Sequence, residues 1–115
     1  MIYVDSLCGE DKYNGRIVHG QIDCEYEPGT ILVLPNAGIS FYSTIIHTAR
    51  RNNGVLAVIV ERGSSGAHLI KLLNEKNINR TGSISVLLLP NALQLLKEGD
   101  TVVVDAKKRL LEIIK

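Results

Sequence analysis

The chain has 115 residues, 45% of them hydrophobic and 22% charged, with a formal net charge of +1, ordinary values for a globular chain with enough residues for one core. A charge this close to neutral excludes a protein held on nucleic acid or an anionic membrane by its net field, and no apolar run approaches the ~20 residues that cross a bilayer. The opening MIYVDSLCGEDKYNG lacks the basic start and apolar core of a signal peptide, and Cys8 and Cys24, without a CxxC or His spacing, read as reduced cytosolic thiols.

In chain order, residues 2–5 predict a short strand, GEDKYNG a polar loop with glycine at both ends, RIVHG a second short strand, and CEYEPGT a turn. ILVLP is a continuous apolar run between turn residues, the pattern of a strand covered on both faces. The period then changes. Tyr42, Ile45, Ile46 and Ala49 fall on one helical face over residues 41–53, Ser43, His47, Arg50 and Arg51 on the other, and NNG supplies the stop. VLAVIVE is the next buried strand. Ser64 or Ser65 can cap a second helix with Gly66, Leu69, Ile70 and Leu73 inward, and NEKNINRTG is a loop. SISVLLL is a third buried strand closed by Pro90, NALQLLKEGD a short helix ending at Gly99. TVVVDAKKRLLEII reads as two strands joined by a tight basic turn, although KKRLLEIIK alone is equally helical. No internal repeat, low-complexity segment or linker stands out.

This order predicts an α/β fold built on a central parallel β-α-β-α-β unit with right-handed crossovers. The flanking strands, too short and polar to be buried on both faces, predict a second β layer, hence three layers, β/β/α. Residues 1–35 carry six acids against Lys12 and Arg16, and the remainder six acids against eleven bases, which predicts two differently solvated faces.

Ligands of open α/β sheets gather beyond the carboxyl ends of the strands, and the free N–H groups of a helix start favour an anion there. PNAGIS, at 35–40, occupies such a place. Gly38 permits close approach of backbone to ligand. Ser40 either caps the helix, a contribution of ~1 kcal/mol, or uses the same N–H groups to support an alkoxide or a bound anion. The stretch is neither a Walker motif, since no Lys follows the glycine, nor a nucleophile elbow, since the second glycine is missing. His19, His47 and His68 have no acid or serine partner at a telling spacing, and no metal set emerges. Arg62, just past a buried strand, falls near the same carboxyl edge as Ser40 and is a candidate for an anion. Asn36 and Ser43 complete the candidate substrate- or anion-binding set.

DSLCGEDKYNGRIV, PGTILVLPNAGIS, NNGVLAVIVER and LLKEGDTVVVDA, in that order and spacing, resemble successive blocks of the aconitase X swivel domain, a family that includes the small subunit of archaeal phosphomevalonate dehydratase. The resemblance covers nearly the whole chain. It implies a single swivelling β/β/α domain over 1–115 that closes over a larger aconitase-like subunit as a heterodimer. The iron–sulfur cluster is expected in that large partner and no cofactor in this chain. The family's proton-accepting serine falls on Ser40, so the implied activity is a cytoplasmic hydro-lyase acting on a small hydroxy acid such as phosphomevalonate, inactive alone.

The turn departs from the family pattern. The Lys or Arg that precedes the family serine is absent, with Gly38 in its place, and the bulkier stretch Phe41, Tyr42 and Ser43 follows where a small residue and a second serine are usual. These departures fit a second expectation, a non-catalytic binding or regulatory domain that keeps the fold, with a homo-oligomer as its expected assembly. TARRNNGVLAVIV also echoes the mobile phosphohistidine domain of PEP-utilising enzymes, but that family's acceptor histidine would fall near Thr44, with His47 about a turn later.

Overall fold

The structure, a computed structural model, describes residues 2–8, 12–20, 26–35, 55–62 and 85–114. The strands in chain order are β1 (Ile2–Tyr3), β2 (Asp5–Cys8), β3 (Lys12–His19), β4 (Thr30–Leu34), β5 (Val55–Val60), β6 (Ser85–Leu88), β7 (Thr101–Asp105) and β8 (Leu110–Ile114), with one short helix, α1 (Ala92–Leu95), between β6 and β7. They form an eight-stranded mixed sheet in the order β1-β8-β7-β3-β4-β5-β6-β2. The expected helices over 41–53 and from Ser64 onward lie outside the described residues.

The three apolar runs are parallel neighbours, β4 beside β5 and β5 beside β6. Ile31, Leu32, Val33 and Leu34 are all fully buried, as are Val58, Ile59 and Val60. Side chains alternate between the two faces of a strand, so continuous burial means that both faces are covered. Ile31, Val33, Ala57, Ile59 and Leu87 join one core cluster with Val102, Val104 and Leu111 of the antiparallel strands. Leu32, Leu34, Val58, Val60 and Val86, which face the other way, are equally buried.

The ends of the sheet explain the second β layer. β1 and β2 stand at opposite ends of the strand order, yet Val4 alone separates them in the chain. Residues 2–8 therefore stitch the two edges together, pairing first with β8 through Ile2↔Leu111 and Tyr3↔Leu110. They then pair with β6 through Asp5↔Leu88 and Ser6↔Leu87, with a bulge before Cys8. At the crossing, the Val4 N–H donates to the Arg109 carbonyl at 3.0 Å, and the Val4 side chain is buried in the cluster. The sheet thus rolls back on itself. The two β layers of the α/β fold are one continuous sheet, and Val4, Ile17 and Leu111 lie between them.

One expected element differs. GEDKYNG is not all loop, because β3 begins at Lys12 and runs eight residues. It pairs antiparallel with β7 from Lys12↔Asp105 to Arg16↔Thr101 and parallel with β4 from Arg16↔Thr30 to His19↔Val33, so the parallel set has four members. Lys12, Asn14 and Arg16 are exposed while Ile17 is fully buried; half of the strand is polar because half of it faces water. Gly15 belongs to the packing and not to a turn. A Cβ there would lie 2.6 Å from the Gly29 carbonyl oxygen and 3.0 Å from Ile31 Cγ1.

The C-terminal hairpin forms as two strands, with Thr101↔Ile114 and Asp105↔Leu110 at its ends. In its turn, Asp105 Oδ1 accepts from the Lys108 N–H at 3.0 Å, and Arg109 takes a left-handed φ of 59°. The expected helix over NALQLLKEGD is a single turn; the chain leaves it at Leu96 and reverses at Gly99, φ 88°.

Candidate functional site

Since β3, β4, β5 and β6 run the same way, their carboxyl ends share one edge of the molecule. Leu34, Val60 and Leu88 lie in one row across that edge. The ladder continues a residue further, with Gly20 N–H donating to the Val33 carbonyl (2.9 Å), Glu61 N–H to Leu34 (3.2 Å) and Leu89 N–H to Val60 (2.9 Å). Just past it come His19-Gly20, Pro35, Glu61-Arg62 and Pro90-Asn91, each from a different strand.

Helix α1 folds back on this edge and seals part of it. Ala92 and Leu96 are fully buried. Glu61 Oε2 accepts from the Leu93 N–H at 3.2 Å, which ties the residues after β5 to those after β6. The His19 N–H donates to Glu98 Oε1 at 2.9 Å, and His19 Nε2 lies 2.6 Å from the Leu96 carbonyl oxygen. A carbonyl only accepts, so Nε2 carries the proton and donates. His19 and Glu61 thus serve as braces between strands and helix.

Asn36, Gly38, Ser40 and Ser43 lie outside the described residues, as do Phe41, Tyr42, His47, His68 and Cys24. The structure fixes where their segment starts. Pro35 is half-buried and follows Leu34, whose partner on β5 is Val60. Arg62 is exposed two residues past Val60, so it leaves the strand next to the one that leads to Ser40, and adjacent strands are about 4.8 Å apart. No described side chain pairs with Arg62. The described ion pair, Arg16 to Glu27 at 3.6 Å, is exposed and worth little. It borders a cleft of about 390 Å³ beside Thr30, at the other end of β4.

One feature of this edge escaped the sequence reading. Leu-Pro-Asn-Ala occurs twice, at 34–37 and 89–92, after β4 and after β6, the two neighbours of β5. In the second copy Pro90 and Asn91 are exposed and Ala92 is buried, with Asn91 at φ 62°, ψ 26°. The repeated tetrapeptide is the signal that finds it. His19, Glu61 and Glu98 were also missed as edge residues, because their partners are distant in sequence.

Among the described residues no three His, Cys, Asp or Glu side chains converge as a metal set, and no helix is long and apolar enough to cross a membrane.

These features define a class: an α/β domain whose rolled mixed sheet presents a turn-rich carboxyl edge of parallel strands. No protein-family profile matches the chain, and no curated protein sequence does. Solved structures do match. A UPF0107 protein, studied by solution NMR, superposes with a TM-score of 0.67 at 16% identity, covering 99% of this chain and 98% of its own. A chain of Thermococcus kodakaraensis aconitase X in its holo-form superposes with a TM-score of 0.64 at 20% identity, covering 98% of this chain and 97% of its own. Both matched chains are therefore about the size of this one. The chain shares its fold with both of these chains.

Proposed function

We propose that this chain is the small, swivelling subunit of an aconitase-like dehydratase, with Ser40 as the proton acceptor. The observation that carries the reading is the end-to-end superposition on an aconitase X chain of nearly equal length, together with the place of Pro35, where the PNAGIS stretch leaves the carboxyl edge.

Removing water from a hydroxy acid requires a base for the carbon-bound proton and a Lewis acid on the departing hydroxyl. The second belongs to an iron–sulfur cluster, which this reading places in a large partner subunit. The first is the task of Ser40. A serine hydroxyl is a weak base unless oriented N–H groups stabilise its alkoxide, which is the role given to Gly38 and the helix start predicted after it. Asn36, Ser43 and Arg62 hold the substrate's acid groups. The complex is a cytoplasmic heterodimer and the substrate a small hydroxy acid, with phosphomevalonate the first to try. The small subunit alone is inactive.

The bulky Phe41 and Tyr42 and the missing basic residue before Ser40 favour a second reading, a non-catalytic domain on the same fold. Co-expression with an aconitase-like large subunit separates the two. A complex that dehydrates phosphomevalonate or another hydroxy acid, and stops when Ser40 becomes Ala while remaining assembled, supports the first. A self-associated chain that ignores both the large subunit and hydroxy acids supports the second.

A further inference from the structure

We propose that the outer face of the β1-β8-β7-β3 half of the sheet is a docking surface for an acidic segment of a protein partner, anchored by an apolar side chain. The proposal goes beyond the dehydratase reading and does not depend on it.

The strand registers place Lys12, Asp105, Leu110 and Tyr3 in one row across these four strands, with Asn14, Val103 and Glu112 in the next row on the same face. Residues opposite one another in a ladder project to the same side, about 5 Å apart. It is also the side that carries Leu32, whose partner Val18 lies on the same face of β3 as Lys12 and Asn14. At β4 and β5 that side is fully buried, through Leu32, Leu34, Val58 and Val60. On the other half it is bare: Lys12, Asn14, Glu112 and Tyr3 are exposed, and Val103, Asp105 and Leu110 are half-buried. An antiparallel half-sheet turned to water ordinarily shows polar side chains there. This one centres on Leu110 and Val103 beside Tyr3, which is 81% exposed, and such apolar patches mark contacts with other molecules. A hollow of about 140 Å³ joins the two rows, with Val103 and Leu110 among its apolar walls and Lys12, Lys108, Asp105 and Glu112 among its polar ones.

Charge selects the occupant. Lys12, Lys107, Lys108 and Arg109 are all exposed and gather at the hairpin end of this face, and among the described residues no ion pair holds any of them. Asp105, the acid in their row, gives one oxygen to the Lys108 N–H at 3.0 Å. Four bases bordering an apolar hollow complement carboxylates that flank an apolar side chain. A nucleic-acid backbone fits less well, because its phosphates repeat without interruption and would meet Asp105 and Glu112 on the same face. A protein segment can set its acids at the basic end alone. The surface also lies away from the candidate site: Lys12 begins β3 and His19 ends it, a run of about 23 Å at roughly 3.3 Å per residue. A partner docked here leaves the carboxyl edge open.

The test is an NMR titration of the isotope-labelled full chain with the peptide acetyl-Glu-Asp-Glu-Leu-Phe-amide. The control arms use the charge-reversed acetyl-Lys-Arg-Lys-Leu-Phe-amide and a uridine hexanucleotide. The expected result is saturable shifts at the amides of β7, β8 and the turn between them and at the Tyr3 ring, with the acidic peptide only. Affinity should fall by at least about tenfold when Lys12→Gln and Lys108→Gln are combined, and by about threefold or more in Tyr3→Ser. All three side chains are exposed, so the rest of each spectrum should be preserved. Absence of saturable shifts, an equal response to the basic peptide, tighter binding of the hexanucleotide, or parent affinity in the double variant overturns the proposal. Shifts of these same residues with protein concentration alone would assign the face to a second copy and overturn it as well. Failure of the dehydratase reading shows separately, as absent turnover in the complex, and leaves these shifts in place.

Discussion

His19 Nε2 donates to the carbonyl oxygen of Leu96 across 2.6 Å, joining the last residue of a parallel strand to the end of the helix that caps the sheet edge. Together with the His19 N–H to Glu98 bond at 2.9 Å, it closes a span of chain that no neighbouring residues in sequence could close. His19→Ala leaves the Leu96 carbonyl without this donor, and a lost part-buried hydrogen bond costs about 1–2 kcal/mol. Urea unfolding of His19→Ala should show that loss, with His19→Gln recovering part of it. An unchanged midpoint in His19→Ala would mean that the brace carries no stability.

Gly15 and Gly29 make opposite demands. A methyl at Gly15 meets the backbone oxygen of Gly29 at 2.6 Å and cannot displace it cheaply, whereas a methyl at Gly29 meets nothing within 4 Å but must accept φ 85°. Gly15→Ala should therefore cost about 1–3 kcal/mol through overpacking between β3 and β4. Gly29→Ala should cost about 1–2 kcal/mol through backbone strain. Structures of the two variants distinguish the causes, since β3 and β4 separate only in the first.

Arg109 holds φ 59° in the hairpin turn, and its side chain is exposed. Left-handed backbone costs a non-glycine residue roughly 1–2 kcal/mol, partly offset by the greater unfolded-state freedom of glycine. Arg109→Gly should raise stability by about 0.5 kcal/mol and Arg109→Val should lower it. Thermal unfolding of the pair checks the sign, and destabilisation by the glycine contradicts the account of this turn.

Ile17 is fully buried in the cluster between the two β layers. Ile17→Ala removes apolar contacts from both layers and should cost about 2–5 kcal/mol, measured by denaturant titration. A loss below 1 kcal/mol would mean that the rolled sheet does not depend on this packing.

How much of this was legible from the sequence depends on whether the partner is local. The apolar runs of β4, β5 and β6 declared themselves because both faces are buried, and the β7–β8 hairpin because the β-branched run Val102, Val103 and Val104 and the apolar Leu110 to Ile114 flank a short basic turn. The first half of β3 hid behind Lys12, Asn14 and Arg16, which face water, and behind Gly15, which packs where a side chain cannot fit. The change of partner at Val4 has no local signature, since it is set by β6 and β8, more than eighty residues away. At the candidate site the strand ends were readable, and Arg62 follows β5 by two residues. The second Leu-Pro-Asn-Ala turn was readable in principle and overlooked, because the first copy leads into Gly38 and Ser40 while the second leads into leucines. The roles of Ser40, Asn36, Gly38 and Ser43 rest on the family resemblance.

The central claim is that Ser40 receives the substrate proton while this domain is closed on a larger subunit. Its most direct measurement is proton exchange between the bound hydroxy acid and deuterated solvent in the assembled complex, followed by NMR for Ser40 and for Ser40→Ala. The account predicts exchange and turnover with Ser40, and loss of both by at least about a hundredfold in Ser40→Ala, as for removal of a general base, with the complex intact. An assembled Ser40→Ala complex that exchanges and dehydrates at the parent rate would contradict it.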